Sequence, residues 1–386
     1  MIAKATGGQR PLGIATVLDR LIQQATSQII APLFEATFHQ HSFGFRPGRR
    51  ARQALAEMER AHADGYRFAV DCDLKSFFDT VSHDLLIARL RRKIDDERVI
   101  GLIARYLRAG VQLPDGKRTP TASGVPQGSP LSPLLANIML DDLDWELDRR
   151  GLRFARYADD FLIFVKSRRA AKRVLRSVAR FVEGRLGLIV NRTKSKAAKL
   201  SHCTFLGFRL FRGKLRWTDS AVRRFKDRVR AITGRSSGRS MAWRIGALRR
   251  YVIGWLNYFG HSHSYREVLA LDAWLRRRVR MCYWKAWKRP RPRRRRLLAL
   301  GADLAEVHLA TRSGKGYWRM SRNRIVQQAL SNRWLWQQGV PNMKQQWIAL
   351  HYGSSSNGSG LSGTALCGRA CRVVWEGGAK HAPRPD

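Results

Sequence analysis

Two adjacent aspartates near the middle of the chain constrain its fold more than any other feature. Asp159 and Asp160 lie between the segment 153–156, which mixes apolar and basic residues, and the apolar run 161–165. Two strand-like segments around a short polar turn predict a β-hairpin with both carboxylates at its tip. Carboxylates are costly inside an apolar core unless a partner compensates them. We therefore expect the pair at a sheet edge, facing a cation or solvent.

A third acid, Asp73, ends another strand-like segment, residues 67–73. If this strand is a neighbour of the hairpin, its carboxylate joins Asp159 and Asp160. Two or three aspartates, with the Leu74 carbonyl as a further oxygen ligand, suffice to hold two Mg²⁺ ions around a phosphoryl transfer. The pattern thus predicts a nucleotide polymerase, whereas a solvated turn is the plainer interpretation of the aspartate pair alone.

Basic residues dominate the charge of the chain. It carries 73 Lys and Arg against 29 Asp and Glu, a formal net charge of +44. Self-repulsion of this size is tolerated most easily when a polyanion binds. The sequence also has 12 Trp, 9 Tyr and 16 Phe interleaved with the cations, as on surfaces that stack on nucleic-acid bases. We therefore expect a folded protein that binds nucleic acid.

The cysteines and the hydropathy pattern predict a cellular compartment. Cysteines occur at positions 72, 203, 282, 367 and 371, odd in number and without a C-x-x-C pair, which indicates a reducing environment. Apolar runs stay well below the ~18 residues that a membrane span needs, and the N-terminus lacks a signal-peptide core. These features predict a soluble, cytoplasmic protein.

Hydrophobic periodicity divides the chain into three parts. Residues 1–218 mix helices and strands without regular βαβ alternation, which predicts an α+β fold. Residues from 219 onward have a helical pattern, and the Gly- and Ser-rich sequence 353–386 predicts a disordered tail. Within the first part we predict helices, a shaped loop and a hairpin turn. The helices are expected at 19–38, 52–63, 97–109, 134–147, 168–186 and from Ser82, the loop at 123–130 and the turn at Gly213.

The helical part carries dense arginine and tryptophan, above all in the run 274–289. Arginine recurs on every face of this helix without an apolar stripe, so a membrane-surface helix is disfavoured. Guanidinium groups contact phosphates and stack on bases, and tryptophan offers stacking surfaces. The residues that we expect to contact RNA are Arg276, Arg277, Arg278, Arg280, Trp284, Lys285, Lys288 and Arg289.

A series of short segments supports these interpretations jointly. In chain order the segments are 10–14, 42–48, 73–79, 126–137, 157–160, 186–194, 205–208 and 254–259. Their order and spacing resemble the bacterial group II intron-encoded reverse transcriptases, also called maturases. The resemblance extends over about residues 8–350.

The resemblance implies a right-hand polymerase fold, with fingers and palm in 1–218 and an all-α thumb or maturase domain in 219–352. It implies an RNA-directed DNA polymerase with two Mg²⁺ ions on Asp73, Asp159 and Asp160. Its partners would be group II intron RNA, an RNA template, a DNA primer and dNTPs, because family members also assist splicing and mobility of their intron. The implied substrate contacts are Phe78 at the sugar, Gln127 at the incoming nucleotide, Lys194 and Arg10 at phosphates, and Leu206, Gly207 and Phe208 at the primer terminus.

Two departures from the family pattern leave an alternative open. Nine residues precede the segment at Arg10, where the family has a longer fingers segment, and the sequence after 353 is too short for a zinc-dependent endonuclease. The expected type is therefore N-terminally short and lacks the endonuclease. The alternative is an RNA-binding splicing factor with lost or weak polymerase activity. An enzyme of a defence or retron system is disfavoured by the segment 255–259 and its basic successors.

Overall fold

The structure, a computed structural model, describes residues 13, 15–110 and 121–353, together with the backbone of short strands at 2–3, 9–10, 111–112 and 118–119. The chain divides into two compact units, Met1–Lys214 and Leu215–Asp386. The sequence prediction put a domain boundary near 218. The tail predicted to be disordered lies, beyond Gly353, outside the described residues.

The first unit mixes helices with antiparallel sheet, which confirms the α+β fold class. Its elements in chain order are β1 (Ile2–Ala3), β2 (Gln9–Arg10), α1 (Val17–Glu35), α2 (Ala51–Ala63), β3 (Phe68–Cys72), α3 (Phe77–Thr80), α4 (His83–Leu90), α5 (Glu97–Arg108), β4 (Val111–Gln112), β5 (Arg118–Thr119), α6 (Ser132–Arg149), β6 (Arg153–Tyr157), β7 (Asp160–Val165), α7 (Arg168–Arg185), β8 (Lys196–Lys199), β9 (Thr204–Phe205) and β10 (Phe208–Phe211).

A four-stranded antiparallel sheet in the order β6-β7-β3-β8 forms the centre of this unit. Residues 161–165 of the central strand β7 are all buried, so both faces of the sheet are covered there. Side chains of β3 and β7 share one apolar core with α1, α4, α5, α6 and α7. This burial fixes the register, because a slip by one residue would send the opposite set of side chains to each face.

Side-chain caps explain where several helices begin. The hydroxyl of Thr16 accepts a hydrogen bond from the backbone N–H of Asp19 at the start of α1, and Ser82 caps α4 in the same way. The first helix ends at Glu35 and not at the predicted Phe38. The reason is the buried Arg46, whose guanidinium donates hydrogen bonds to the carbonyls of Phe38 and His39, just beyond the helix end, and pairs with Glu35 at 2.8 Å.

The second unit is helical, as the sequence pattern predicts. Strand β11 (Lys214–Trp217) spans the division between the units, and the helices that follow are α8 (Asp219–Ile232), α9 (Met241–Phe259), α10 (Tyr265–Ala286), α11 (Pro290–Ala299), α12 (Leu304–Arg312), α13 (Tyr317–Met320), α14 (Arg324–Ala329), α15 (Asn332–Gln337) and α16 (Met343–Tyr352). Within the described part of the chain, every helix is too short or too polar to span a bilayer.

Candidate active site

The register of the central sheet brings Asp73 beside the hairpin. Cys72 of β3 is opposite Phe161 of β7, so the next residues along the two strands are Asp73 and Asp160. Directly opposite Cα atoms in an antiparallel pair lie about 4.5–5.5 Å apart. Two acids that are far apart in the sequence therefore meet at one end of the sheet.

A two-residue turn carries the other acid. Tyr157 of β6 is opposite Asp160 of β7, which leaves Ala158 and Asp159 as the turn. Ala158 has a φ of 60°, a conformation that is uncommon for a residue with a Cβ atom. Such a residue persists only when its surroundings hold it in place.

Arg156 makes many of the contacts that keep Ala158 in this conformation. Its guanidinium is completely buried and pairs with the equally buried carboxylate of Asp144 in α6. One Nη group donates to the carbonyl of Ala158 at 3.0 Å and to Asn137 Oδ1 at 2.9 Å. The other donates to Ser42 Oγ at 2.7 Å. All five N–H groups of the guanidinium thus have acceptors, and one of these is the turn itself.

The segment around Gly44 packs against the same turn. The backbone N–H of Phe43 donates to the Arg156 carbonyl at 2.8 Å, and Asn137 Nδ2 donates to the Gly44 carbonyl at 2.9 Å. A Cβ atom at Gly44 would lie 2.3 Å from the Ala158 nitrogen. The close approach therefore requires glycine at this position.

Four carboxylates share the site, one more than the sequence prediction contained. Burial raises the pKa of Asp160 to about 7, together with the smaller effects of the negative charges of Asp71, Asp159 and Asp73. A hydrogen bond from the backbone N–H of Leu206 opposes this shift. Burial also raises the pKa of Asp71, against the attraction of Lys196, whose Nζ is 3.5 Å from its carboxylate.

The carboxylate of Asp73 is oriented by neighbours on the segment that follows α7. Asn191 Nδ2 donates to Asp73 Oδ2 at 2.9 Å, and Lys194 Nζ lies 3.9 Å from the same oxygen. The Lys194 side chain is 57% exposed, so its ammonium remains accessible to an anionic substrate. Backbone bonds join residues 73 and 75 to residues 191 and 189. The intervening Leu74 carbonyl therefore points away from that segment.

The predicted nucleotide contacts lie around the segment after β3. Phe78 is half-buried and edge-on to Phe77, which belongs to the core. The loop 123–130 is anchored here, because Val125 N donates to the Phe78 carbonyl at 2.6 Å. Gln127 is half-buried in this loop, with Nε2 3.5 Å from Asp79 Oδ1. For Arg10 the structure describes only its backbone in β2.

The predicted primer-terminus residues divide into two groups. Leu206 and Gly207 form the turn between β9 and β10, with φ of 53° and 82°, and the Leu206 N–H reaches Asp160. Phe208 is fully buried. Its side chain supports the turn from the interior. The prediction that the Phe208 side chain contacts a primer directly is therefore wrong.

The donor set of the site suits a hard divalent cation. Mg²⁺ takes oxygen ligands, and a dication would relieve the repulsion that, after burial, raises the pKa of Asp160. Nevertheless, the described residues contain no group of three or more His, Cys, Asp or Glu side chains at the spacing of a formed metal site.

Several cationic residues predicted to bind RNA are engaged within the helical unit. Arg276 pairs with the buried Asp272. Arg277 lies over the Trp318 ring, 3.6 Å from its centre, and Arg278 donates to Thr233 Oγ1 at 2.9 Å. These three side chains are only partly buried and keep some surface for an RNA. The side chains of Lys288 and Arg289 are exposed, and Lys285 donates to the Arg235 carbonyl.

Two of the predicted RNA contacts are wrong because they lie in the interior of this unit. Trp284 is 1% exposed and belongs to an apolar core. Arg280 is 6% exposed and donates to the Leu330 carbonyl and to Asn332 Oδ1, each at 2.8 Å. Burial lowers the pKa of Arg280 to about 10. Helix α10 is central in its unit, so its basic sequence is not a wholly solvent-facing surface.

Comparison with known proteins identifies the family. Residues 2–210 match the family described as reverse transcriptase (RNA-dependent DNA polymerase). The chain belongs to the reverse transcriptase family. Residues 222–301 match the maturase-specific domain of group II introns. The resemblance to group II intron reverse transcriptases is thereby confirmed, and membership of the family indicates RNA-directed DNA polymerase activity and use of divalent metal ions.

Three relatives illustrate the match. Protein YkfC of Escherichia coli is 32% identical over 292 residues, which cover 66% of this chain and 76% of that protein. The group II intron-encoded protein LtrA of Lactococcus lactis is 42% identical over 147 residues, 38% of this chain and 24% of LtrA. An uncharacterized 91 kDa protein in a cob intron of Schizosaccharomyces pombe is 41% identical over 144 residues, 37% of this chain and 18% of that protein. The matches thus span three quarters of YkfC but a quarter or less of the other two.

Sequence reasoning missed several residues of this site. Asp71 lies two residues before Asp73, so strand alternation puts both on one face of the sheet, and this signal was available. Asn191 was inside a recognised segment but carried no assigned role. Arg156 and Asp144 gave no signal, because a charged residue in a strand or helix is normally exposed.

Proposed function

We propose that this reverse transcriptase copies RNA into DNA with Asp73, Asp159 and Asp160 as ligands of two Mg²⁺ ions. We propose further that its helical unit binds group II intron RNA and assists splicing and mobility. The observation that carries the first proposal is the register of β3 against β7, which puts Asp73 next to Asp160. The pKa of Asp160, raised first by burial and then by the charges of Asp71, Asp159 and Asp73, agrees with this placement.

The chemistry asks for positioning and charge compensation. Bound divalent ions lower the pKa of an attacking hydroxyl and neutralise a triphosphate. The residues of the chain hold the oxygen donors in place: Asn191 orients Asp73, and Arg156 with Gly44 fixes the turn that carries Asp159. The Leu74 carbonyl, which is directed away from the segment 189–191, is a further candidate ligand. Such preorganisation is what a phosphoryl transfer requires of a protein.

Neighbouring residues suit the proposed substrates, a dNTP on an RNA template with a DNA primer. Phe78 presents a partly exposed ring for the sugar, and Gln127 lies in a loop anchored beside it. Lys194 is exposed next to Asp73 and suits a phosphate. We assign Arg10 to a phosphate on the resemblance alone. The Leu206 and Gly207 turn, which touches Asp160, suits the primer terminus.

RNA binding by the helical unit is supported by its match to a maturase-specific domain and by exposed cations on and after α10. We retain Arg276, Arg277, Arg278, Lys285, Lys288 and Arg289 as proposed contacts. LtrA is described as a group II intron-encoded protein, and we propose the same association for this chain. A cytoplasmic location remains our prediction from the cysteine pattern, and a bacterial ribonucleoprotein remains our prediction from the resemblance.

Primer extension on an RNA template with Mg²⁺ tests the proposal. Asp159→Asn should abolish extension, whereas Asp95→Asn, a matched change at an exposed acid, should leave it intact. Extension undiminished in Asp159→Asn refutes the assigned site. If the wild type cannot extend a primer but promotes intron splicing at low Mg²⁺, the splicing-factor alternative holds. That splicing should then survive Asp159→Asn and be lost on neutralising Lys288 and Arg289.

A further inference from the structure

The helical unit contains a cavity of about 410 Å³ that none of the residues discussed as the active site touches. Helices α8, α10 and α13, together with the segment between α8 and α9, supply its walls. The lining side chains are Arg230, Arg235, Trp274, Arg278, Met281 and Trp318. The volume lies in the range of pockets that hold a small organic ligand.

The two indoles of the cavity are partly exposed, and a guanidinium lies over each of them. Arg277, which is not among the lining residues, backs Trp318 at 3.6 Å from its ring centre and also donates to the Trp318 carbonyl at 3.1 Å. The guanidinium of Arg230 lies 5.9 Å from the Trp274 ring centre. Met281 is buried beside them. Trp318, which Arg277 fixes, therefore loses little conformational entropy when a ligand stacks on it.

The charged lining residues are all cationic. Arg278 is pinned by hydrogen bonds to Thr233, at 2.9 Å to the hydroxyl and 3.2 Å to the carbonyl. Burial lowers the pKa of Arg278, and the charges of Arg230 and Arg235 lower it further. Arg230 pairs with Asp227 at 2.6 Å, but Asp227 does not line the cavity. The cavity therefore favours an anion.

We infer that this cavity binds one unpaired nucleotide of a single-stranded RNA, with its base stacked on Trp274 or Trp318 and its phosphate on the arginines. The inference rests on the proposed RNA binding of this unit and names a contact point within it. Bases in a duplex are stacked inside the helix, so only a splayed nucleotide can offer a π-face together with a phosphate. A simple anion would use the cations but would gain nothing from the indoles.

Binding of short fluorescein-labelled RNAs to the full chain tests the inference. The probes are a single strand of mixed sequence, a duplex of the same length, and an abasic strand with the same number of phosphates. Trp274→Ala or Trp318→Ala, whichever removes the indole that carries the base, should weaken binding of the mixed-sequence strand about tenfold. Both variants should leave the affinity for the abasic strand and the duplex unchanged. Trp243→Ala removes an indole that lies outside the cavity and is 42% exposed. This control variant should bind all three probes with wild-type affinity.

A charge variant tests the phosphate contact separately. Arg235→Gln should reduce the slope of log affinity against log salt by about 0.7, the value for one contact to a single strand. Arg312→Gln, an equal charge change at an exposed residue of α12, should leave the slope as in the wild type. Circular dichroism verifies that every variant is folded.

The outcomes separate the inference from the proposal beneath it. If the wild type binds RNA but both tryptophan variants match it on the mixed-sequence strand, the cavity is not a nucleotide site and RNA binding by the unit stands. Equal losses on the abasic strand would likewise overturn the inference, because stacking would not be involved. If the wild type binds none of the probes, both the proposed RNA binding and this inference are wrong.

Discussion

Arg156 and Asp144 form an ion pair in which both side chains have 0% exposure. Such pairs are weak contributors to stability, because desolvation offsets much of the attraction. The same guanidinium donates to the Ala158 carbonyl at 3.0 Å. The pair therefore ties helix α6 to the turn that carries Asp159, and its function is to fix geometry.

We predict that Arg156→Met lowers the free energy of unfolding by about 3–5 kcal/mol, since it leaves the Asp144 carboxylate buried and unpaired. The double variant Arg156→Met/Asp144→Leu should regain most of this stability. It should not regain primer extension, because the bond to the Ala158 carbonyl remains absent. Thermal unfolding and extension rates are measured together. Full activity in the double variant would contradict a positioning role.

Gly44 gives a second prediction about the turn. A Cβ atom at this position would meet backbone atoms, at 2.3 Å from Ala158 N and 2.9 Å from the Tyr157 carbonyl carbon. Gly44→Ala should cost about 1–3 kcal/mol and impair extension at any dNTP concentration. The matched change Gly101→Ala, in α5 with open space around it, should be neutral or slightly stabilising. A wild-type kcat in Gly44→Ala would contradict the account.

The pH dependence of stability follows from Asp160. Its pKa is raised from 3.8 to about 7, so the folded chain favours the protonated form. This contribution to stability is complete below about pH 4, falls as the pH rises towards 7 and changes no further above it. The melting temperature of Asp160→Asn should therefore lie several degrees above that of the wild type at pH 8. Near pH 4 the two melting temperatures should be the same. A difference that grows towards acid pH would reverse the assigned sign.

Asp71 gives a linked prediction for activity. Metal ligation requires ionised carboxylates, so the extension rate should rise with pH towards 7 as Asp160 loses its proton. Because the charge of Asp71 raises the pKa of Asp160, Asp71→Asn should move this rise to lower pH. Lys196→Met removes the cation that pairs with Asp71. It is not expected to move the rise in extension rate to lower pH. Coincident pH profiles of wild type and Asp71→Asn would exclude the coupling.

Local signals in the sequence predicted the fold well where the determinants are local. Thr16 and Ser82 cap helices near the predicted starts, and Ala158 with Asp159 forms the predicted turn. Long-range contacts were not predictable in this way. The acceptors around Arg156 come from Ser42, and from residues 137, 144 and 158, so no short window reveals that this arginine is buried.

For the basic helix α10 the sequence prediction erred differently, because it assigned interior residues to an RNA-binding surface. Its arginines and tryptophans have the composition of an RNA-binding surface, yet Trp284 and Arg280 are interior. A long helix at the centre of a helical unit buries part of every turn, and an arginine can be buried when carbonyls satisfy its donors. Trp274 and Trp318, by contrast, meet in one cavity although 44 positions separate them, from 274 to 318.

Iron-directed backbone cleavage tests the central claim most directly. Fe²⁺ in place of Mg²⁺, with peroxide and ascorbate, cuts the chain next to the bound ion, and mass spectrometry locates the cuts. The account predicts cuts near both Asp73 and Asp159, suppressed by excess Mg²⁺ and lost together in Asp160→Asn. Cuts at only one of the two segments, or cuts that persist unchanged in Asp160→Asn, would contradict a shared ion site.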